Sequence, residues 1–275
     1  MVKITVEYER AICLIADLHV GSRYAIAPEK WITREGGSFD SLLNPAQKQL
    51  LKHWKDFVYK MRHDFDIDTV IIDGDVCAGT NPRQYARGLF TADLNEQLEA
   101  AYHLLEPLCK GLKVVVLNGT PYHESQDFQI HQTLADYFNG EFHGYVSLAK
   151  IKPSEKIMFV THEAPIAPVY PETATARDMM HMFKSMALGK TPKINVIVRA
   201  HRHISDYKHK KEFHLINLPC WCCFAPYPKI TRYYFLMQPD IGGVLLLLEK
   251  KTHRVCPKIF DDYELPHVAD RLTTI

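Results

Sequence analysis

The chain has 275 residues, enough for one large domain or two small ones. Hydrophobic residues make up 47% and charged residues 24%, an ordinary balance for a globular protein that buries a core. A formal net charge of +1 excludes a global electrostatic footprint for nucleic acid or an anionic membrane, and the longest aliphatic stretch, Val244 to Leu248, is far too short to span a bilayer.

Short β-branched runs alternate with longer amphipathic stretches, the pattern of an α/β protein. The first predicted strand is Ile12–Ala16. Residues 20–43, rich in Gly, Ser and aromatics, read as a long loop of the kind that often serves as a lid. Asn44-Pro45 supplies an N-cap and a first-turn proline for a helix whose apolar face is Leu50, Leu51, Trp54, Phe57, Val58 and Met61. A strand at Thr69–Asp73 precedes a second helix through Leu94, Leu98, Ala101, Leu105 and Leu108, with Pro107 kinking or tightening its last turn and Gly111 ending it. After a strand at Lys113–Leu117, a third helix runs from about Ser125 to Phe138, closed by Asn139-Gly140. Next come a strand at Lys156–Val160 and a fourth helix from roughly Thr175 to Leu188, stopped by Gly189. Its Met179, Met182, Phe183 and Met186 read as packing. The remainder is β: Ile194–Val198, Phe213–Asn217 and Gly243–Leu248, with turns at Pro226, Pro228 and Pro239-Asp240. No repeat, low-complexity tract or linker interrupts the pattern, so residues 1–275 read as a single domain.

The start of the chain carries no signal-peptide pattern. Seven scattered cysteines, with Cys13 and Cys77 inside apolar runs, suit reduced thiols and a cytoplasmic location. Fifteen histidines is the unusual count. Five of them (His53, His63, His103, His131, His181) fall in helices and read as surface residues, and His143, His209, His214, His253 and His267 show no partner pattern.

The other five belong to a recurring arrangement: an apolar run, then a metal-ligand residue type where the strand ends. The run before Ala16 leads into Asp17-Leu18-His19, and Val70–Ile72 leads into Asp73-Gly74-Asp75. Val114–Leu117 leads into Asn118-Gly119-Thr120, with His123-Glu124 close behind. Ile157–Val160 leads into Thr161-His162-Glu163, and Ile194–Val198 leads into His201-Arg202-His203. Functional residues of α/β sheets gather beyond the carboxyl ends of the strands. Neighbouring strands lie about 4.8 Å apart, so such side chains can meet around two ions roughly 3.5–4 Å apart. Mixed oxygen and nitrogen donors suit Mn first, with Fe or Zn as alternatives, better than Ca or Mg. No cysteine belongs to the set, which argues against a structural zinc knot. Each fragment alone is an ordinary turn or surface residue; five in register with five strands are not.

In this order the motifs resemble those of the calcineurin-like metallophosphoesterase superfamily: Asp-x-His, Gly-Asp, Gly-Asn-His-Asp/Glu, a lone His and Gly-His-x-His. The match runs from residue 11 to about 204. The resemblance implies two packed mixed β-sheets flanked by helices, an α-β-β-α sandwich of four layers, with a dinuclear site at a sheet edge. It implies a hydrolase of phosphate mono- or diesters that uses water activated between two divalent ions. Carried over by position, Asp17, His19 and His203 hold one metal. His162, His201 and the residue in the asparagine slot hold the other, and Asp75 bridges them. Two departures stand out: Ala200 replaces the glycine before His201, and the third motif is altered. If Gly119 matches the family glycine, Thr120 occupies the asparagine slot; alternatively, Asn118 reaches the metal. His123 is the candidate catalytic residue, protonating the leaving group, and it is also an alternative ligand.

Other residues carry weaker expectations. Asp73 and Glu163 are candidates to orient ligand histidines, and Arg202 to contact substrate phosphate; each reads equally well as an ordinary loop residue. Lys208-His209-Lys210-Lys211 is either a track for a nucleic-acid backbone or a solvated hairpin tip. Tyr227, Lys229, Arg232, Tyr233, Tyr234 and Phe235 could stack bases or fill a β-sheet core. Cys220, Cys222 and Cys223 read as packing rather than as a second metal or redox site. Within the superfamily, a DNA or RNA nuclease is the alternative to a small-ester hydrolase. A binding protein that retains the fold without catalysis is the alternative class.

Overall fold

A computed structural model of the chain describes residues 7–32, 37–80, 86–123, 129–163, 171–223 and 238–265. The first half contains β1 (Tyr8–Ile15), a small hairpin of β2 (Lys30–Ile32) and β3 (Ser38–Asp40), α1 (Pro45–Tyr59) and β4 (Thr69–Asp73). It continues through α2 (Leu94–Cys109), β5 (Lys113–Leu117), α3 (Ile130–Tyr137) and β6 (Glu141–Phe142). Then follow β7 (Ser147–Ile151), β8 (Lys156–Val160), α4 (Pro171–Ala187), β9 (Ile194–Arg199), β10 (Asp206–Lys210), β11 (Phe213–Asn217), β12 (Gly243–Glu249) and β13 (Val255–Phe260).

Two mixed sheets result. One has the order β13-β12-β1-β4-β5-β6, the other β10-β11-β9-β8-β7. In the first, β1, β4, β5 and β6 are parallel, and in the second β8, β9 and β11 are parallel. Because strand side chains alternate between faces, each central strand feeds two layers. Ala11, Cys13, Ile15, Val70, Ile72, Val114 and Val116 join α1, α2 and α3 in one core. Ile12, Leu14, Ile71, Val115, Val160, Val196, Val198 and Ile216 fill the space between the sheets. Ile194, Ile197, Phe213 and Leu215 meet Met179, Met182, Phe183 and Met186 of α4. The layers are therefore helix, sheet, sheet, helix, as the motif resemblance implied.

Local chemistry explains the helix boundaries. Asn44 Oδ1 accepts from Gln47 N and Gln47 Oε1 accepts from Asn44 N, a reciprocal capping box at α1. Asp93 caps α2 by accepting from the N–H groups of Asn95 and Glu96, and the helix continues past Pro107 to Cys109. The fourth helix starts earlier than its apolar spacing suggests, at Pro171, a residue whose missing N–H costs nothing in a first turn. The third is helical from Ile130 among the described residues; the expected start near Ser125 lies outside them, as do Glu124, His267, Pro226, Pro228 and the aromatic and basic residues from Tyr227 to Phe235.

The long loop expected at 20–43 is more ordered than its composition suggests. Val20, Ala25, Ile26, Ala27 and Trp31 are fully buried, and the strands β2 and β3 pair within it. The Lys208–Lys211 run lies on edge strand β10 and the turn beyond it, paired with β11. No helix among the described residues is long and apolar enough to cross a membrane.

Candidate metal centre

Both sheets deliver their parallel strands to the same end of the sandwich, and the candidate residues follow those ends directly. From the first sheet, the chain after β1 keeps parallel company with the chain after β4: Asp17 N donates to Gly74 O at 3.2 Å, His19 N to Asp75 O at 3.0 Å and Val20 N to Val76 O at 2.8 Å. From the second, Ala200 N donates to the His162 carbonyl at 3.2 Å, locking the ends of β8 and β9 together. One main-chain bond to a carboxylate spans the two sheets at the centre: His201 N donates to Asp17 Oδ2 at 2.9 Å.

Five of the gathered residues adopt left-handed backbone conformations: Asp17 (φ 53°), His19 (46°), Asp75 (46°), His201 (70°) and His203 (58°). Non-glycine residues avoid this region, and such strain persists only where surrounding structure over-determines it. Each is a sharp exit from a strand that turns a side chain back across the strand end. Two glycines make the approach close enough. A Cβ at Gly119 would fall 2.0 Å from Asp75 Oδ1, and one at Gly74 would fall 2.6 Å from His162 Nδ1. Gly119 is thus required by proximity to Asp75 rather than by a left-handed turn.

The side chains converge on two buried carboxylates. His203 Nε2 lies 3.1 Å, His19 Nε2 3.4 Å and His162 Nε2 3.6 Å from Asp17 Oδ1. Around Asp75 Oδ2 stand His162 Nε2 at 3.0 Å, His201 Nδ1 at 3.8 Å and His123 Nε2 at 3.9 Å. Thr120 N donates to Asp75 Oδ1 at 2.7 Å, and its hydroxyl lies 3.2 and 3.1 Å from the two oxygens. Asn118 contributes main chain here, its N–H donating to Gly144 O at 2.8 Å.

Hydrogen bonds fix which ring nitrogens face the centre. His162 Nδ1 donates to Asp73 O at 2.5 Å and His123 Nδ1 to Ala78 O at 2.8 Å, leaving both Nε2 atoms turned inward. Asp73 holds His162 through its carbonyl rather than through its side chain. Among the described residues, its two carboxyl oxygens are buried without hydrogen bonds, and burial raises the group to about 7. Glu163 is exposed and makes no bond to a ligand histidine among the described residues. Arg202 donates to the Thr175 hydroxyl at 2.9 Å, at the start of α4.

Electrostatics at the centre call for positive charge. Burial opposes ionisation of Asp17 and Asp75, yet neighbouring histidines, His203 and His162 at Asp17 and His162 at Asp75, hold both carboxyls far below the usual range. Burial likewise disfavours a charged His203, but Asp17 raises it to about 9, and Asp75 and Asp17 raise His162 well above its ordinary value. His19, pressed by burial and by His123, falls to about 4. Without other cations, protons on imidazole balance the carboxylates.

The donor set fits metal ions. His19 Nε2 and His203 Nε2 are 3.1 Å apart, too close for two lone pairs without a proton or cation between them. His162 Nε2 and His201 Nδ1 are buried and make no hydrogen bond among the described residues. Asp17, Asp75, His162 and His201 present ligand atoms all within 4.8 Å of one another, as do His19, Asp75 and His123. So do His19, His203 and Cys222. This last group brings a cysteine beside residues that the sequence reading took to act without one. Cys222 follows β11, a sixth strand end at the same rim, and that position was its only signal in the sequence.

Four layers, with the ends of five strands from two sheets meeting over a buried Asp/His cluster, decide the architecture. The chain folds as a four-layer sandwich of two mixed sheets between helices, the architecture that the motif resemblance implied. No protein-family model and no curated protein matches the sequence. Among solved structures, the chain is similar to an archaeal phosphodiesterase, with 13% identity, 91% of this chain and 99% of that chain covered, and a TM-score of 0.45. It is also similar to Vps29 from Entamoeba histolytica complexed with zinc, with 16% identity, 92% and 99% covered, and a TM-score of 0.43.

Proposed function

We propose that this chain is a dinuclear metal-dependent phosphoesterase that hydrolyses phosphate mono- or diesters. The observation that carries the reading is the crowding of imidazole nitrogens around the buried Asp75 carboxylate, with His162 Nε2 and His201 Nδ1 buried and without a hydrogen bond among the described residues. Asp17, His19 and His203 would hold one ion, His162, His201 and Thr120 the other, and Asp75 both. Asn118 and His123 are the alternatives to Thr120. Nitrogen and oxygen donors favour Mn, with Fe or Zn next. When bound, two such ions supply an activated water and neutralise charge on the phosphoryl oxygens.

The chain's own groups do the rest. Thr120, through its N–H and hydroxyl, fixes the rotation of the Asp75 carboxylate. The Ala78 carbonyl pins the Nδ1 proton of His123, so that Nε2 is the atom from which a leaving oxygen takes its proton. Arg202, beside the ligand pair, is a candidate to meet a substrate phosphate as well as Thr175.

Threonine in place of the family's asparagine amide favours a second reading, a metal-poor binding protein with the same fold. Metal analysis of the purified protein, with aryl phosphate mono- and diester assays in Mn, separates the two. Two ions per chain and turnover are expected, and Asp75→Asn is expected to reduce turnover to background. Absence of metal and turnover would favour the binding reading, and full activity in the Asn variant would refute the bridging role. Oligonucleotide digestion then distinguishes a nuclease from a small-ester hydrolase.

A further inference from the structure

We infer that Cys222 is a positioning residue for His203, accepting the Nδ1 proton of that ring and so directing Nε2 at the first metal position. The inference rests on the metal-centre reading above. Its foundation is geometric. Cys222 Sγ lies 3.3 Å from His203 Nδ1, while Nε2 of the same ring lies 3.1 Å from both Asp17 Oδ1 and His19 Nε2. A ring that offers the Nε2 lone pair to a cation must carry its proton on Nδ1, and whatever stands at Nδ1 sets the ring's orientation. His162 and His123 are held in the same sense by main-chain carbonyls. At His203 a sulfur occupies that place.

The thiol is firmly placed. Cys222 is only 4% exposed and pairs with Ala25 in an antiparallel bridge. On either side, Trp221 N donates to Asp17 O at 3.0 Å and Cys223 N to Tyr24 O at 2.6 Å. The Cys220 thiol donates to the Cys222 carbonyl at 3.2 Å. The Asp17 carbonyl therefore tethers the Cys222 segment, while the Asp17 carboxylate meets the ring that Cys222 touches. Direct ligation by sulfur fits less well, because the ring nitrogen that Sγ contacts, Nδ1, is not the one that meets Asp17 and His19.

Cobalt(II) binding to metal-stripped protein tests this, followed by calorimetry and by absorption, in the wild type, Cys222→Ala and Cys222→Ser. Loss of the acceptor in the alanine variant is expected to weaken the affected site by about 10–100-fold. Serine, which can still accept, should restore most of that affinity, and the three metal-free proteins should melt alike. Unchanged affinity in Cys222→Ala would overturn the inference, and so would a serine variant as weak as alanine. A sulfur-to-cobalt charge-transfer band in the wild type would overturn it differently, by making Cys222 a ligand. Should the variants fail to fold, nitrogen-15 spectra of the zinc-loaded wild type give the answer, because His203 Nδ1 must be protonated. A wild type that takes up no cobalt would instead refute the metal-centre reading.

Discussion

At Gly119 a single missing side chain shapes the centre. A methyl there would stand 2.0 Å from the Asp75 carboxylate oxygen, so either the carboxylate or the β5 exit must move. Gly119→Ala is expected to cost about 1–3 kcal/mol by overpacking, measurable by urea unfolding, and to abolish two-ion binding in a metal titration. An alanine variant that binds both ions normally would show that Asp75 can retreat without loss. Much of the site at this scale was legible in the sequence, because Asp17, His19, Asp75, His162, His201 and His203 each directly follow an apolar run. Cys222 was not, since its place at the rim depends on β11 lying beside β9, a pairing between segments that no spacing reveals. His131 was misread as a surface residue of its helix; it is fully buried, and its Nε2 accepts from Val76 N at 3.2 Å. One helical histidine looks like another until its face is known.

Between residue and molecule, α2 reaches into the site through Gln97. Its side-chain amide donates to Gly79 O and Thr91 O, and its carbonyl accepts from Gly79 N. That reciprocal pair anchors the chain leaving β4, where the Ala78 carbonyl holds His123. Gln97→Ala strands two buried main-chain groups at Gly79 and a part-buried one at Thr91, and is expected to cost roughly 2–3 kcal/mol. Hydrogen exchange should show lost protection at Val76–Gly79, and unaltered protection there would detach α2 from the site. Elements were legible where burial is two-sided: Thr69–Asp73, Lys113–Leu117 and Phe213–Asn217 match their observed bounds. The expected pattern fails at the sheet rims. The β7 strand alternates buried and exposed residues over only five positions, β10 is half-exposed throughout, and β13 carries Pro257. Proline is tolerated on an edge strand but argues against a strand in any sequence reading.

For the molecule as a whole, the centre is where the two sheets are joined by polar groups as well as by packing. Asp17 and Asp75 come from one sheet, while His162, His201 and His203 come from the other. Ions shared among them would bind the folded chain and not the unfolded one. Metal at about a hundredfold over its dissociation constant should therefore add roughly 3 kcal/mol per site. For a chain of this size that raises Tm by roughly 5 °C or more, and a chelator should reverse the gain. A melting temperature indifferent to Mn, Zn and chelator would mean that no ion joins the two sheets.

The left-handed turns at Asp17, His19, Asp75, His201 and His203 carry one more implication, for anyone wishing to move this chemistry elsewhere. Copying the acids and imidazoles onto the rim of another sandwich would deliver the right atoms on ordinary extended backbone, aimed away from each other. The bends would have to be transplanted first, together with the Gly74 and Gly119 clearance that lets them nest. In this protein the shape of the main chain, more than the identity of the side chains, is the part that is hard to replace.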